Sequence, residues 1–145
     1  MTSNPYIVSR YYRAPELLLG KKDYNYKIDI FSAGCIIAEL FILSPLFPGQ
    51  EEWLQLFEQM TILGNPGSEY FNQFKLPKNV SSFFKTYKIK TIKSFEKILN
   101  KENKYSDEDA KNASDLILNM LNFDYDKRYS AEISLNHPFF TKSDK

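Results

Sequence analysis

Apolar positions crowd most densely between Asp29 and Leu43, DIFSAGCIIAELFIL, where only Ser32 and Glu39 interrupt them after the opening Asp. No single stripe of a helix can hold so many, and a helix that is apolar on every side is a buried one. At about 1.5 Å per residue it would be roughly 22 Å long, too short to span a bilayer, and Glu39 lies in its middle. The pattern predicts the central post of a mainly α domain. Asp29 either caps this helix or gives its carboxylate to backbone donors of another segment. Gly34 would let a second backbone come close, because it lacks a Cβ.

The flanking patterns are also helical. After the turn Ser44-Pro45-Leu46-Phe47-Pro48-Gly49, helical spacing resumes over Glu51–Leu63, with Trp53, Leu54, Phe57, Met60 and Leu63 on the predicted core face. Gly64-Asn65-Pro66-Gly67 ends it. Further on, Ser106 stands three residues before Asp109, and acids fill the first turn of a helix whose apolar face is Ala110, Ala113, Leu116, Ile117, Met120 and Leu121. A polar loop, Phe123–Tyr129, leads to a short helix capped by Ser130 and running through Leu135. It stops at His137-Pro138, ahead of an apolar plug, Phe139-Phe140. By contrast, Met1–Asn25 has no clean period, and Pro5 and Pro15 interrupt it. An ordered loop is expected there, with one turn of helix at Glu16–Leu19 stopped by Gly20.

Composition adds a core and a compartment. The chain has 145 residues, 43% hydrophobic and 16% aromatic, enough for one domain with a sizeable interior. A net charge of +1 argues against a general nucleic-acid or membrane binder. The single cysteine, Cys35, cannot form an intramolecular disulfide and reads as a small core hydrophobe in a reducing compartment. The N-terminus has no secretory apolar region, so a cytoplasmic or nuclear location is expected. His137 is the only histidine and has no metal-ligand set beside it, so a packing or capping role is expected.

Charge is uneven along the chain. Residues 75–104 hold nine Lys against Glu96 and Glu102, interleaved with Phe83, Phe84, Tyr87 and Phe95. A single-strand nucleic-acid surface has such interleaving, but nothing here builds a flat stacking platform. The stretch reads as a solvated insertion whose aromatics pack down, and as a docking surface for an acidic partner. Elsewhere Lys is used so freely that the only arginines are Arg10, Arg13 and Arg128. Those are candidate positions for a planar guanidinium gripping phosphate or carboxylate. Tyr6 near Arg10 and Arg13 leaves two readings open: a phosphotyrosine clamped by both, or an aromatic loop with solvated arginines.

Three stretches together carry a resemblance. Tyr12-Arg-Ala-Pro-Glu16 is similar to the end of a protein-kinase activation segment, Asp29-Ile-Phe-Ser-Ala-Gly34 to the start of that fold's buried central helix, and Asp126-Lys-Arg128 to the loop before its last helix. Their order and spacing resemble the helical C-terminal lobe of a eukaryotic protein kinase along essentially the whole chain. Phe31 departs from the usual Trp. Tyr6-Ile-Val-Ser-Arg-Tyr-Tyr-Arg13 resembles the group containing cyclin-dependent, MAP and glycogen synthase kinases, most closely glycogen synthase kinase 3. The dual-specificity tyrosine-regulated kinases share part of that string. Asn4 occupies the place of the MAP kinases' second phosphoacceptor, so their dual switch is not expected.

The resemblance implies a role for each of these residues. Tyr6 would be the activation phosphosite, with Arg10 and Arg13 binding its phosphate, and Ser9 and Asp29 would support the active site. Tyr11 and Tyr12 would form the substrate shelf. Glu16 and Arg128 would form a buried structural ion pair. The boundaries follow: 1–28 activation-segment end, 29–74 central and following helices, 75–105 basic insertion, 106–141 terminal helices. Protein substrates are implied, with scaffold or docking proteins at Lys75–Lys104. ATP and Mg²⁺ are implied for a complete kinase, but no cofactor, metal ligand or catalytic residue is expected in this chain. It contains no G-x-G-x-x-G, no catalytic-loop His-Arg-Asp and no metal-binding Asp-Phe-Gly. Three origins are therefore weighed: part of an active Ser/Thr kinase, a non-catalytic binding or scaffold module, and a relic. Under the first, the central helix is expected to leave an apolar patch when these residues stand alone.

Overall fold

The computed structural model describes residues 10–89 and 94–142, and every regular element among them is a helix. In order these are α1 (Pro15–Leu18), α2 (Lys27–Ile42), α3 (Glu52–Leu63), α4 (Ser68–Phe71), α5 (Lys78–Thr86), α6 (Phe95–Leu99), α7 (Asp107–Met120), α8 (Ala131–Leu135) and α9 (Pro138–Thr141). None is long and apolar enough to cross a membrane.

The central post is α2, and it starts two residues earlier than the apolar run. Asn25 Oδ1 accepts the Lys27 N–H at 2.9 Å, and Tyr26 O accepts the Asp29 N–H at 2.9 Å. Asp29 is therefore not the cap. It lies exposed in the first turn, where its charge suits the positive end of the helix. The helix closes at Leu43, which takes a left-handed φ of 60° and donates its N–H to Glu39 O. Burial is not all-round either. Ile30, Phe31, Gly34, Cys35 and Ala38 are buried, whereas Ile36, Leu40 and Leu43 are 51%, 68% and 79% exposed. Their i, i+4, i+7 spacing puts them on one stripe, which the other described elements leave uncovered.

Helix α7 packs across the buried side of α2. A Cβ added at Gly34 would lie 2.9 Å from Leu121 Cδ2 and 3.1 Å from Met120 Cβ, so any larger residue would have to push these side chains aside. Ala113, Ile117 and Leu121 join Phe31, Cys35, Ala38, Leu46, Phe47, Phe95 and Leu99 in the larger core. Burial pushes the Cys35 thiol far above its ordinary pKa, which fits an inert core group. Ser106 Oγ accepts the Asp109 N–H at 3.1 Å and Ser130 Oγ accepts the Ile133 N–H at 3.1 Å, so both helices are capped by the expected hydroxyls. Of the final aromatic pair, Phe139 packs against the core and Phe140 is exposed, so the plug is one ring.

The second core contains Leu18, Leu19, Leu56, Met60, Tyr70, Phe71, Phe84 and Phe123. Here the apolar spacing of α3 holds in part, since Met60 is buried and Trp53 and Leu63 pack against the core, but it misses two glutamines. Its buried residues are Gln55, Leu56, Gln59 and Met60, while Leu54 is exposed and Trp53 and Phe57 are half-buried. The two glutamines have displaced part of the expected face because they are needed as donors to irregular backbone. In the basic insertion, α5 and α6 bury Phe84, Phe95 and Leu99 but leave Phe83 exposed. Asn65 Nδ2 donates to Phe84 O at 2.7 Å and Tyr87 O at 3.0 Å, tying the end of α5 to the turn after α3.

Candidate functional site

The Arg10 and Ala14 carbonyls accept local backbone N–H groups, but Tyr11, Tyr12 and Arg13 lie in a turn and the irregular chain after it, so their carbonyls need donors from elsewhere. Three side chains supply them. Gln55 Nε2 donates to Tyr11 O at 3.4 Å, Ser32 Oγ to Tyr12 O at 2.6 Å, and Gln59 Nε2 to Arg13 O at 2.9 Å. Gln55 also accepts the Gly49 N–H at 2.8 Å, which locks the Pro-Gly turn against the same segment. A Cβ at Gly49 would come within 2.4 Å of the Gln55 backbone.

The side chains of this segment have distinct surroundings. Tyr12 donates its hydroxyl to Glu39 Oε1 at 2.8 Å, and that bond, with burial and the carboxylate's charge, raises the phenol's pKa. Arg10 Nη1 donates to Gln50 O at 2.6 Å, and its buried Nε has no acceptor among the described residues. Tyr11 and Tyr12 are half-buried side by side. Tyr6 and Ser9 lie outside the described residues. Asp29 lies exposed in the first turn of α2, one helical turn before Ser32.

The segment ends in a buried ion pair between residues 112 apart. Arg128 Nη2 donates to both Glu16 oxygens, at 2.9 and 3.0 Å, and both side chains are almost fully buried. Arg128 Nε donates to Asn122 O at 2.9 Å and Nη1 to Lys27 O at 2.9 Å, while the guanidinium lies 5.2 Å from the centre of the Phe31 ring. All three nitrogens are used, in three directions, which an ammonium could not do from one point. Burial raises the Glu16 carboxyl's pKa, and Arg128's charge and hydrogen bonds draw it partly back.

Two features lie outside the pattern read from sequence. Gln55 and Gln59, one helical turn apart, are fully buried donors, and that i, i+4 pair was the available signal. A groove of about 400 Å³ runs between α3 and α5, lined by Trp53, Leu54, Phe57, Val80, Phe83 and Phe84. His137 accepts the Phe139 N–H on Nδ1 at 3.0 Å and meets Asp115 Oδ2 through Nε2 at 2.7 Å, which makes it the cap of α9.

A loop is thus clasped to a helical lobe by a buried carboxylate and guanidinium. Residues 2–140 match the family model described as the protein kinase domain, and the chain belongs to that family. It is 38% identical over 137 residues to glycogen synthase kinase 1 of Pyricularia oryzae, covering 93% of this chain and 32% of that protein. Protein kinase gsk31 of Schizosaccharomyces pombe is 42% identical over 135 residues, covering 93% and 33%. Mitogen-activated protein kinase KSS1 of Saccharomyces cerevisiae is 37% identical over 134 residues, covering 92% and 35%. The chain thus spans about a third of the length of these relatives and resembles the helical C-terminal lobe of the group to which glycogen synthase and MAP kinases belong.

Proposed function

We propose that the chain is the C-terminal part of a protein Ser/Thr kinase, which transfers the ATP γ-phosphoryl group to protein hydroxyls. These residues supply the activation-segment end and the surfaces facing the substrate, while the reacting groups lie elsewhere in the polypeptide. The observation that carries this reading is the buried Glu16–Arg128 bridge at the end of a segment whose carbonyls are pinned by Gln55, Ser32 and Gln59. Such a bridge holds a loop at a fixed height above the lobe. In this reading Tyr6 is the phosphoacceptor whose phosphate pairs with Arg10 and Arg13, and Ser9 and Asp29 support the reacting centre. Tyr11 and Tyr12 form the shelf beside the substrate, and the kinase works in the cytoplasm or nucleus.

The residues present do not fit ATP or Mg²⁺. Among those described, no three His, Cys, Asp or Glu side chains gather into a metal site, and the five glycines are too scattered to cover a phosphate. The chain alone is therefore expected to transfer no phosphate. Incubating it with Mg-ATP and a basic test protein checks this, and phosphorylation of that protein would overturn the reading. Its positive arm is the genomic frame ahead of Met1, which should encode a catalytic-loop Asp and an Asp-Phe-Gly.

A second reading, a non-catalytic docking or scaffold module, draws support from the groove between α3 and α5, one wall of which the lysine-rich insertion supplies. An upstream frame without kinase motifs, with the chain behaving as a soluble monomer, would favour it over the first.

A further inference from the structure

Lys27 occupies the first position of α2, where a positive charge meets the positive end of the helix and is disfavoured. Its ammonium turns away from that end, across to the loop between α7 and α8. There Nζ donates to Tyr125 O at 3.2 Å and to Arg128 O. Arg128 in turn donates from Nη1 to Lys27 O at 2.9 Å. The two residues, 101 positions apart, therefore hold each other's backbone.

We propose that Lys27 is a positioning residue for the Glu16–Arg128 pair: by holding the carbonyls of Tyr125 and Arg128 it fixes the loop that aims the guanidinium at the carboxylate. The geometry explains why an ammonium is used. Within the loop, the Lys127 and Arg128 N–H groups both turn inward to Asp124 O, at 3.1 and 2.9 Å, and the Asp126 N–H turns to Asp124 Oδ1 at 2.9 Å. Those bonds close the loop but leave the Tyr125 and Arg128 carbonyls pointing toward α2. A group with several donors at one point satisfies both at once. Charge neutralisation is not its task, since Glu16 is already matched by Arg128. Tyr125 receives two further ties, Lys21 Nζ 5.0 Å from the centre of its ring and its hydroxyl donating to Gln73 Oε1 at 3.4 Å. The loop is thus gripped along its length, and Lys27 is the only one of these ties that reaches Arg128 itself among the described residues.

This inference rests on the geometry and does not depend on phosphoryl transfer, so it can fail while the proposed function stands. The test follows solvent exchange of the Arg128 Nε–H by nitrogen-15 NMR in the full chain, for Lys27→Met, Lys27→Gln and Lys27→Arg. Losing a hydrogen bond to a charged group should speed that exchange about ten-fold or more in the Met and Gln variants. Amide protection in α7 should not change. Lys27→Arg, which keeps a cationic donor, should remain near the wild-type rate. Unchanged Arg128 exchange in whichever of the two neutral variants folds would overturn the proposal. So would stability losses that simply add when either variant is combined with Glu16→Gln.

Discussion

The contact between α2 and α7 and the contact between residues 10–16 and α3 are both buried, but they are held in opposite ways. In the first, two helices satisfy their own backbones and meet through shape alone, with Gly34 against Met120 and Leu121 and with Ile117 in the common core. In the second, Tyr11 and Arg13 have no ladder of their own, and the buried Gln55 and Gln59 of α3 serve their carbonyls. The difference teaches that polar burial follows irregular backbone. Where a chain must hold a loop against a lobe, glutamine, serine and arginine take positions that a helix contact would give to leucine.

Three experiments would break or sharpen this contrast. The largest effect is expected from Arg128→Met, which strands the Glu16 carboxylate and should cost about 3–5 kcal/mol in urea unfolding. Adding Glu16→Leu should recover part of that loss, and a double variant as unstable as the sum of the singles would contradict the charge explanation. Next is Ile117→Ala, an apolar truncation with about 2–5 kcal/mol expected, read as a uniform loss of amide protection across α2 and α7. Smallest is Gln59→Leu, which keeps the bulk but leaves Arg13 O without its donor, at about 1–3 kcal/mol. Hydrogen exchange should then rise in residues 10–16 and stay unchanged in α7. Equal loosening of both regions would erase the distinction drawn between them.

The same contrast governs what could be read in the sequence. Helix α7 was legible to the residue because its cap, its acidic first turn and its apolar face all agree, and every one of Ala110, Ala113, Leu116, Ile117, Met120 and Leu121 is buried. Glu16 and Arg128 could be paired only through the resemblance, since nothing local links positions so far apart. The face of α3 is legible only in part: Met60, Trp53 and Leu63 pack as their spacing predicts, but apolar periodicity assumes that burial means hydrophobicity, and Gln55 and Gln59 break that assumption to serve a neighbouring loop. Asp29 was misplaced as a possible cap because Asn25 closes the turn first. Helices α4, α5 and α6 are short and depend on contacts with the second core and with α7, so local pattern gave no warning of them.

The Gln55 amide joins two parts of the molecule through opposite ends, its oxygen toward the Gly49 N–H and its nitrogen toward the Tyr11 carbonyl. It therefore works like a keyed plug, with polarity as well as shape. Glutamate has nearly the same outline, yet it would set oxygen against oxygen at Tyr11, so a change of one atom would separate the turn from the segment it anchors.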